Sequence, residues 1–401
     1  MTSNKSPASR PLAGLRVTVV LNWADLGGAE QNALTVARWL RNDEGADVEF
    51  LALTDRPGRA ADAVRALGMN WRSVVVDWDG SKRAKAGEFA RFVLALRRGK
   101  PDLVISYCSL PNVLCGLAWR PAGASTSVWQ QQDVSPFRRA RDSTRRRAAG
   151  RTPVFVANAA HGAEHLVSVW GAPRERIRVI RSGVEVRPAV WGRDEWRARL
   201  GLNSDDFVAC MVAHFRRSKD HQTLLRSWRG VVDELAREQR RAVLLLAGDA
   251  YPMQDAAKAL AFDLRLDESV RFLGVVDDVP GLVGASDVSV LSSFREGLPR
   301  SLLESMGAGI PVAGTDTPGI REAVGAEGVP FLAALHDVDA LADVLLVLAR
   351  DSDLRERLGA LYARRVAQEF TVDRMLTSYR ETLAAALDSA GGGRRRLRAR
   401  R

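Results

Sequence analysis

Val288-Ser-Val-Leu-Ser-Ser-Phe-Arg-Glu296-Gly-Leu-Pro-Arg-Ser-Leu-Leu-Glu304-Ser-Met-Gly-Ala-Gly-Ile-Pro-Val312 is read as a buried strand ending near Leu291, a polar loop, a helix and the start of another strand. Pro299 fits the first helical position, where a missing N–H costs nothing. The N–H groups of Arg300, Ser301 and Leu302 then have no acceptor within the helix. Together with the helix dipole they form an anion site suited to a diphosphate. Glu304 sits one turn inside the helix, and Glu296 lies at the loop rim beside Gly297 and Leu298. A carboxylate offers two acceptor oxygens, which matches a vicinal diol. The competing reading makes both glutamates plain helix-start acids favoured by the dipole.

Working outward, strands alternate with helices on both sides of this stretch. Leu15–Leu21, Val48–Leu53, Ser73–Val76, Leu103–Ser106, Ser127–Gln130, Val154–Ala157 and Ile177–Ile180 read as strands of a first domain over 14–190. Phe207–Val212, Ala242–Ala247, Val270–Leu273, Val288–Leu291 and Val312–Gly314 read as strands of a second over 205–375. Such alternation predicts α/β architecture: two tandem Rossmann-like, doubly wound domains facing across a cleft. Ligands bind such sheets beyond the C-terminal strand ends. Residues 1–13 read as a flexible leader, 191–204 as a polar linker, 376–390 as a helix crossing back to the first domain, and 391–401 as a disordered basic tail.

The chain has 401 residues with 46% hydrophobic and 27% charged, a composition that buries real cores. Net charge is +11, and six arginines of the tail supply more than half of it. The remaining body suits a small polyanion as well as nucleic acid, and no nucleic-acid partner is expected. Only six of the 59 basic residues are lysines, so a lysine inside a candidate site is informative. Cys108, Cys115 and Cys210 form no paired motif, which fits a reducing compartment. The reading is a cytoplasmic protein, peripheral at most on the inner membrane face through weak contact of its tail with anionic lipid.

The segment Phe294–Val312 resembles the Glu-x7-Glu motif of the retaining glycosyltransferases of family 4, which have the two-domain GT-B architecture. The likeness extends into Gly314–Glu322 and into Val270–Pro280, where the family's backbone meets the nucleotide base. It implies that Glu304 binds ribose and Glu296 the transferred sugar, and that Gly248 and Gly274 lie on the donor side. Met211-Val-Ala-His214-Phe-Arg216-Arg-Ser-Lys219 is similar to the family's phosphate loop, with Lys219 at the lysine position. His214 stands where the family has an arginine, so either Arg216 or Arg217 supplies that charge, or His214 donates one neutral hydrogen bond; His214 is counted among the donor-binding candidates. Glu296, Lys219 and Arg216 are therefore the candidate catalytic residues. Gly27 and Gly28 resemble the family's first-domain glycine loop, and Gln131, Gln132 and Asp133 occupy the place of a cleft histidine that is missing here.

The resemblance implies a retaining, metal-independent transfer of sugar from a nucleoside-diphosphate sugar to a hydroxyl acceptor, with no cofactor. The acceptor class (small molecule, lipid-linked sugar or glycan) is not legible. Asp77-Trp-Asp79 has metal-site spacing but reads as a loop acid pair. His161-Gly-Ala-Glu-His165 matches a zinc-hydrolase signature without a third ligand. A sugar-nucleotide epimerase shares the two-domain plan but lacks the glutamate segment; a pyridoxal phosphorylase would need a dedicated lysine. A non-enzymatic binding protein acting through the tail is the remaining alternative.

Overall fold

The computed structural model describes residues 10–56, 58–132, 134, 140–250 and 252–398. The chain divides into two compact units, Met1–Ser182 with Asp373–Arg401, and Gly183–Val372. In the first, the strands are β1 (Arg16–Leu21), β2 (Asp47–Ala52), β3 (Asn70–Ser73), β4 (Leu103–Tyr107), β5 (Thr126–Gln131), β6 (Val154–Ala157) and β7 (Ile177–Val179). The helices between them are α1 (Gly28–Asn42), α2 (Arg59–Ala66), α3 (Lys82–Arg98), α4 (Ser109–Ala122), α5 (Asp142–Arg151) and α6 (Ala160–His165). The sheet runs β3-β2-β1-β4-β5-β6-β7 and its pairs are parallel. Parallel strands covered on both faces are apolar nearly throughout, as is β4, which is buried along its whole length; β5 is buried as fully but carries the polar Thr126, Ser127, Gln130 and Gln131.

The second unit contains α7 (Arg193–Arg199), β8 (Phe207–Val212), α8 (His221–Arg237), β9 (Ala242–Ala247), α9 (Met253–Asp263), β10 (Val270–Gly274), α10 (Val279–Ala285) and β11 (Val288–Leu291). It continues with α11 (Arg300–Gly307), β12 (Val312–Thr315), α12 (Pro318–Val324), β13 (Leu332–Ala333), α13 (Val338–Arg350) and α14 (Ser352–Glu369). The parallel order is β10-β9-β8-β11-β12-β13. The order reverses between β8 and β11, so the loops leaving those two strands border a crevice at the C-terminal edge of the sheet.

The expected linker at 191–204 is instead an integral part of the second unit. Trp196 and Arg197 on α7 are buried, and Arg197 pairs with Asp287 at 3.0 Å. The division falls at Ser182/Gly183 and Val372/Asp373, where Val184 N donates to the Phe370 carbonyl at 2.9 Å. Glycine, proline and charge made 181–203 look like a connection, because burial of an arginine has no local signature. Two further expectations shift. Leu12, assigned to a loose leader, is fully buried. The final helix, α15 (Val372–Arg398), continues through Gly391–Gly393 into the stretch read as disordered. Arginine is a good helix former, so low complexity did not forbid helical backbone.

α15 is fastened within the first unit by one buried and one half-buried polar contact. Tyr379 Oη donates to Gln130 Oε1 at 2.9 Å, and Arg380 Nε reaches Glu44 at 2.6 Å.

Asp278 ties α7 to the second sheet. Its carboxylate accepts from Val190 N at 3.0 Å, Trp191 N at 3.1 Å, Trp196 Nε1 at 2.7 Å and Gly281 N at 3.1 Å. Burial pushes this carboxyl up, but the Trp196, Val190, Trp191 and Gly281 donors outweigh it and hold the group below its ordinary value. A lowered folded-state value means stability that is present above the unfolded carboxyl pKa and is lost as pH falls through the folded one. Asp278→Asn is therefore expected to lower the melting temperature at neutral pH. The gap to the natural chain should narrow in acid, which melting curves at several pH values will check. A gap that stays constant into acid would remove the ionised carboxylate from the account.

Candidate functional site

The sequence reading of α11 is one residue out at its start. Pro299 is the N-cap, not the first helical residue, with an extended backbone and no side-chain cap. Leu303 N makes the first helical hydrogen bond, to the Pro299 carbonyl at 3.2 Å. Arg300, Ser301 and Leu302 thus present N–H groups with no helical acceptor, and no acidic side chain stands in the first turn.

Two loops meet beside this helix start. After β11, Phe294 N donates to the Ser218 carbonyl at 3.0 Å. Ser292 Oγ reaches the carbonyls of Lys219 and Asp220, each at 3.0 Å. This stitching brings Lys219 Nζ to 2.5 Å from Glu296 Oε1, with side chains 21% and 10% exposed. An ion pair this sheltered is weakly screened by salt, and an ammonium still has further N–H groups to offer.

Asp220, which the sequence reading passed over, shapes the turn. It adopts the left-handed conformation (φ 48°) and caps α8. Its carboxylate accepts from Thr223 N at 3.3 Å and Thr223 Oγ1 at 2.7 Å, and lies 2.8 Å from His336 Nδ1. The spacing Asp-x-x-Thr ahead of a helix is a local capping signal; the contact with His336, 116 residues away, has none. His221 stacks on Phe215 with ring centroids 4.2 Å apart. Burial, helped by the Lys219 charge, pushes it down to about 4, against Asp220. It is neutral near pH 7.

Glu304 accepts from Arg300 Nε at 2.9 Å. It also lines a pocket with Glu185, Val186, Arg187, Val279, Pro280, Val283 and Ala308. Val279, Pro280 and Val283 of that lining belong to α10; upstream, Gly274, the last residue of β10, has φ +65° and its carbonyl accepts from Gly248 N at 2.8 Å. Gly248 is required by close approach, since a Cβ there would lie 2.0 Å from the Ala213 carbonyl oxygen. His214 Nδ1 is 3.3 Å from Asp249 Oδ2. Arg216 is exposed on the same loop. Gly297 and Leu298 are buried between Glu296 and α11.

The first-unit candidates are held by their own scaffold. Gly27 is the N-cap of α1 and Gly28 its first residue; Gly27 N donates to Glu30 Oε2 at 3.1 Å. Gln131 is buried and accepts from Trp129 Nε1 at 3.0 Å. Gln132 accepts from Asn158 Nδ2 at 3.2 Å. Asp133 lies outside the described residues. Asp77 accepts from Asp79 N at 2.9 Å, as in a self-closing loop turn. Glu164 of the His161–His165 segment is engaged by Arg174 through both oxygens, at 2.8 and 2.6 Å. That guanidinium holds its carboxyl below the ordinary value. No group of three metal-ligating side chains occurs among the described residues, and no helix among them is long and apolar enough to cross a membrane.

Two family models match the chain. The model described as glycosyl transferases group 1 covers residues 192–365, and that of Glycosyltransferase Family 4 covers residues 26–187. The chain belongs to the family 4 glycosyltransferases. Among curated relatives of this family 4 chain is the N-acetyl-alpha-D-glucosaminyl L-malate synthase of Bacillus anthracis. The two are 26% identical over 52% of this chain and 53% of that protein. A D-inositol 3-phosphate glycosyltransferase of Saccharomonospora viridis is 30% identical over 58% of this chain and 56% of its own length. The chain thus spans little over half the length of these relatives. Among solved structures, Anabaena HepE in complex with UDP and glucose superposes with a TM-score of 0.78. It is 20% identical, over 92% of this chain and all of that one, a likeness of fold. Its GT-B architecture matches the two parallel, Rossmann-like sheets described above.

Proposed function

We propose that the chain transfers a sugar from a nucleoside-diphosphate sugar to an acceptor hydroxyl, with retention of anomeric configuration and without a metal ion. The observation that carries this is the Lys219–Glu296 contact beside the uncapped start of α11. In this reading the diphosphate rests on the amides of Arg300, Ser301 and Leu302, with Lys219 against its oxygens and Arg216 as a further cation. Glu304 accepts from the ribose hydroxyls, and Val279, Pro280 and Val283 supply apolar surface for the base. Glu296 accepts from hydroxyls of the sugar. Gly27, Gly28, Gln131 and Gln132 are assigned to the acceptor side.

Cleavage of the anomeric C–O bond leaves negative charge on the diphosphate, and fixed donors stabilise that charge without reorganising. The acceptor oxygen bonds to the anomeric carbon on the departing side, and its proton passes to the leaving phosphate oxygen. No protein general base is needed, which suits the glutamines that stand where the family resemblance implies a histidine. Lys219 and the helix amides supply the positive charge a metal would otherwise bring. The UDP and glucose of the Anabaena protein make UDP-sugars the first donors to try, and the relatives' names direct the acceptor search to L-malate and D-inositol 3-phosphate.

Thermal shift with UDP-, GDP- and ADP-sugars tests the donor, because a ligand bound only by the folded state raises its stability. Glu304→Ala is expected to weaken donor binding by roughly tenfold to a hundredfold, the loss of charge-assisted hydrogen bonds to a diol. The thermal shift should then disappear at donor concentrations that saturate the natural chain. An unchanged shift would take Glu304 out of the donor site. Product anomers read by NMR, and turnover in excess chelator, test retention and metal independence.

A further inference from the structure

We propose that His214, backed by Asp249, is a protonation-dependent contact for the donor diphosphate, so that donor affinity falls as pH rises through the titration of this histidine. The inference rests on the donor reading above and deepens it by naming the group that makes binding depend on pH.

His214 and Lys219 share the loop that leaves β8, where Arg216 N donates to the His214 carbonyl at 2.7 Å and Lys219 N to the Arg216 carbonyl at 3.0 Å. Asp249 stands on the neighbouring loop, after β9. The two loops are locked together at Gly248, which has no room for a side chain against Ala213. Phe215 N also donates to the Asp249 carbonyl at 3.3 Å. The His214–Asp249 approach of 3.3 Å is therefore set by backbone and not by two free side chains. Both side chains are partly sheltered, 21% and 30% exposed, so water screens their attraction incompletely.

The chemistry follows from the two ring nitrogens. A neutral imidazole carries one proton. If Nδ1 keeps it for Asp249, Nε2 presents a lone pair, which repels a phosphate oxygen. A protonated ring offers an N–H on both sides and a full charge, so Asp249 and a phosphate can be satisfied together. An arginine at this position would do the same at every pH; histidine does so only below its titration.

Other charged groups near this loop do not substitute for that behaviour. Lys219 is paired with Glu296, and Arg216 and Arg217 are exposed on the same loop. His221, adjoining through Phe215, is already neutral there. Asp255 and Lys258 are the charged side chains nearest the start of α9. His336 is the other histidine that contacts a carboxylate of this loop, Asp220, so it is the control.

The test is equilibrium binding of UDP-glucose and GDP-mannose to the full chain across about pH 5.5 to 8.5, the window in which histidine changes charge. Both are diphosphate diesters whose phosphates stay ionised throughout. Affinity is expected to be about tenfold weaker at the alkaline end, the loss of one charge-assisted hydrogen bond. His214→Arg should bind tightly with a flat profile, and His214→Gln weakly with a flat profile. Asp249→Asn should keep the dependence but move its midpoint to lower pH, because a carboxylate favours the charged ring. His336→Gln should keep the natural profile. A flat natural profile, or pH dependence that survives in His214→Gln, overturns the inference while the donor site stands. Absence of binding by either sugar nucleotide at every pH overturns the inference together with the donor reading.

Discussion

Lys219→Ala is expected to slow donor cleavage by roughly 10²–10³-fold, the cost of removing one preorganised stabiliser of developing charge. The loss should fall on kcat more than on donor KM, because the leaving diphosphate carries more charge in the transition state than in the bound donor. The substitution also removes the ammonium that holds Glu296 at 2.5 Å, and it leaves that carboxylate facing a dianionic ligand. Glu296→Gln should therefore recover part of the lost donor affinity in the Lys219→Ala background, a coupling that a double-mutant cycle measures. Lys219→Arg keeps the charge but replaces a compact ammonium by a planar fork, so partial activity is expected. The assay is release of nucleoside diphosphate from the donor identified by thermal shift, with melting curves to confirm that each variant is folded. A folded Lys219→Ala chain that cleaves donor at the natural rate would end the proposal that this lysine faces the diphosphate.

The strands that form the middle of each sheet were readable nearly to the residue. Val154–Ala157, Phe207–Val212, Ala242–Ala247 and Val288–Leu291 coincide with β6, β8, β9 and β11. These strands are buried almost throughout, and burial on both faces demands an uninterrupted apolar run. β3 was misplaced for the converse reason. It is an edge strand, Asn70–Ser73, with no buried residue, and the apolar run read as the strand lies just beyond it. α4 went unread because it is apolar nearly all round, from Leu110 to Ala122, and so has no polar face to mark a helical period. α10 and α12 have seven residues each, too few for periodicity, although Asp278 and Thr317 cap them with proline following within two positions. The candidate site was legible where a local rule carried it: glycine, proline and two glutamates at helix spacing, plus a scarce lysine. It was not legible where distant segments converge. Asp278 gathers donors from Val190, Trp191 and Trp196, more than eighty residues away in sequence, and His336 reaches Asp220 from the far end of the sheet order.

Gly319→Ala is expected to be the most damaging single methyl group in the second unit. A Cβ at this position would lie 1.6 Å from the Gly297 carbonyl oxygen, 2.7 Å from its carbonyl carbon and 3.0 Å from the Glu296 carbonyl oxygen. All three are backbone atoms of the loop that presents Glu296, so no flexible side chain can give way. The helix cannot retreat either. Thr317 Oγ1 caps α12 by accepting from Ile320 N at 3.3 Å, and Thr315 Oγ1 bonds the Ser293 carbonyl. Gly314 also sits where a Cβ would meet the Leu291 carbonyl oxygen at 2.7 Å. Overpacking of this kind costs about 3 kcal/mol, which lowers the melting temperature of a unit this size by roughly 6–12 °C. Because the strain is relieved only by moving the Glu296 loop, the Lys219 contact and donor binding should be lost even below the new melting temperature. Gly284→Ala on α10 is the matched control. Its added Cβ meets nothing within 4 Å, and exchanging glycine for alanine inside a helix gains up to about 1 kcal/mol. The pair separates steric contact from helix propensity, since both substitutions add the same methyl group to a helix of the same length. If Gly319→Ala melts and binds donor as Gly284→Ala does, the loop is not held against α12, and Glu296 is not fixed at Lys219 in the way the site requires.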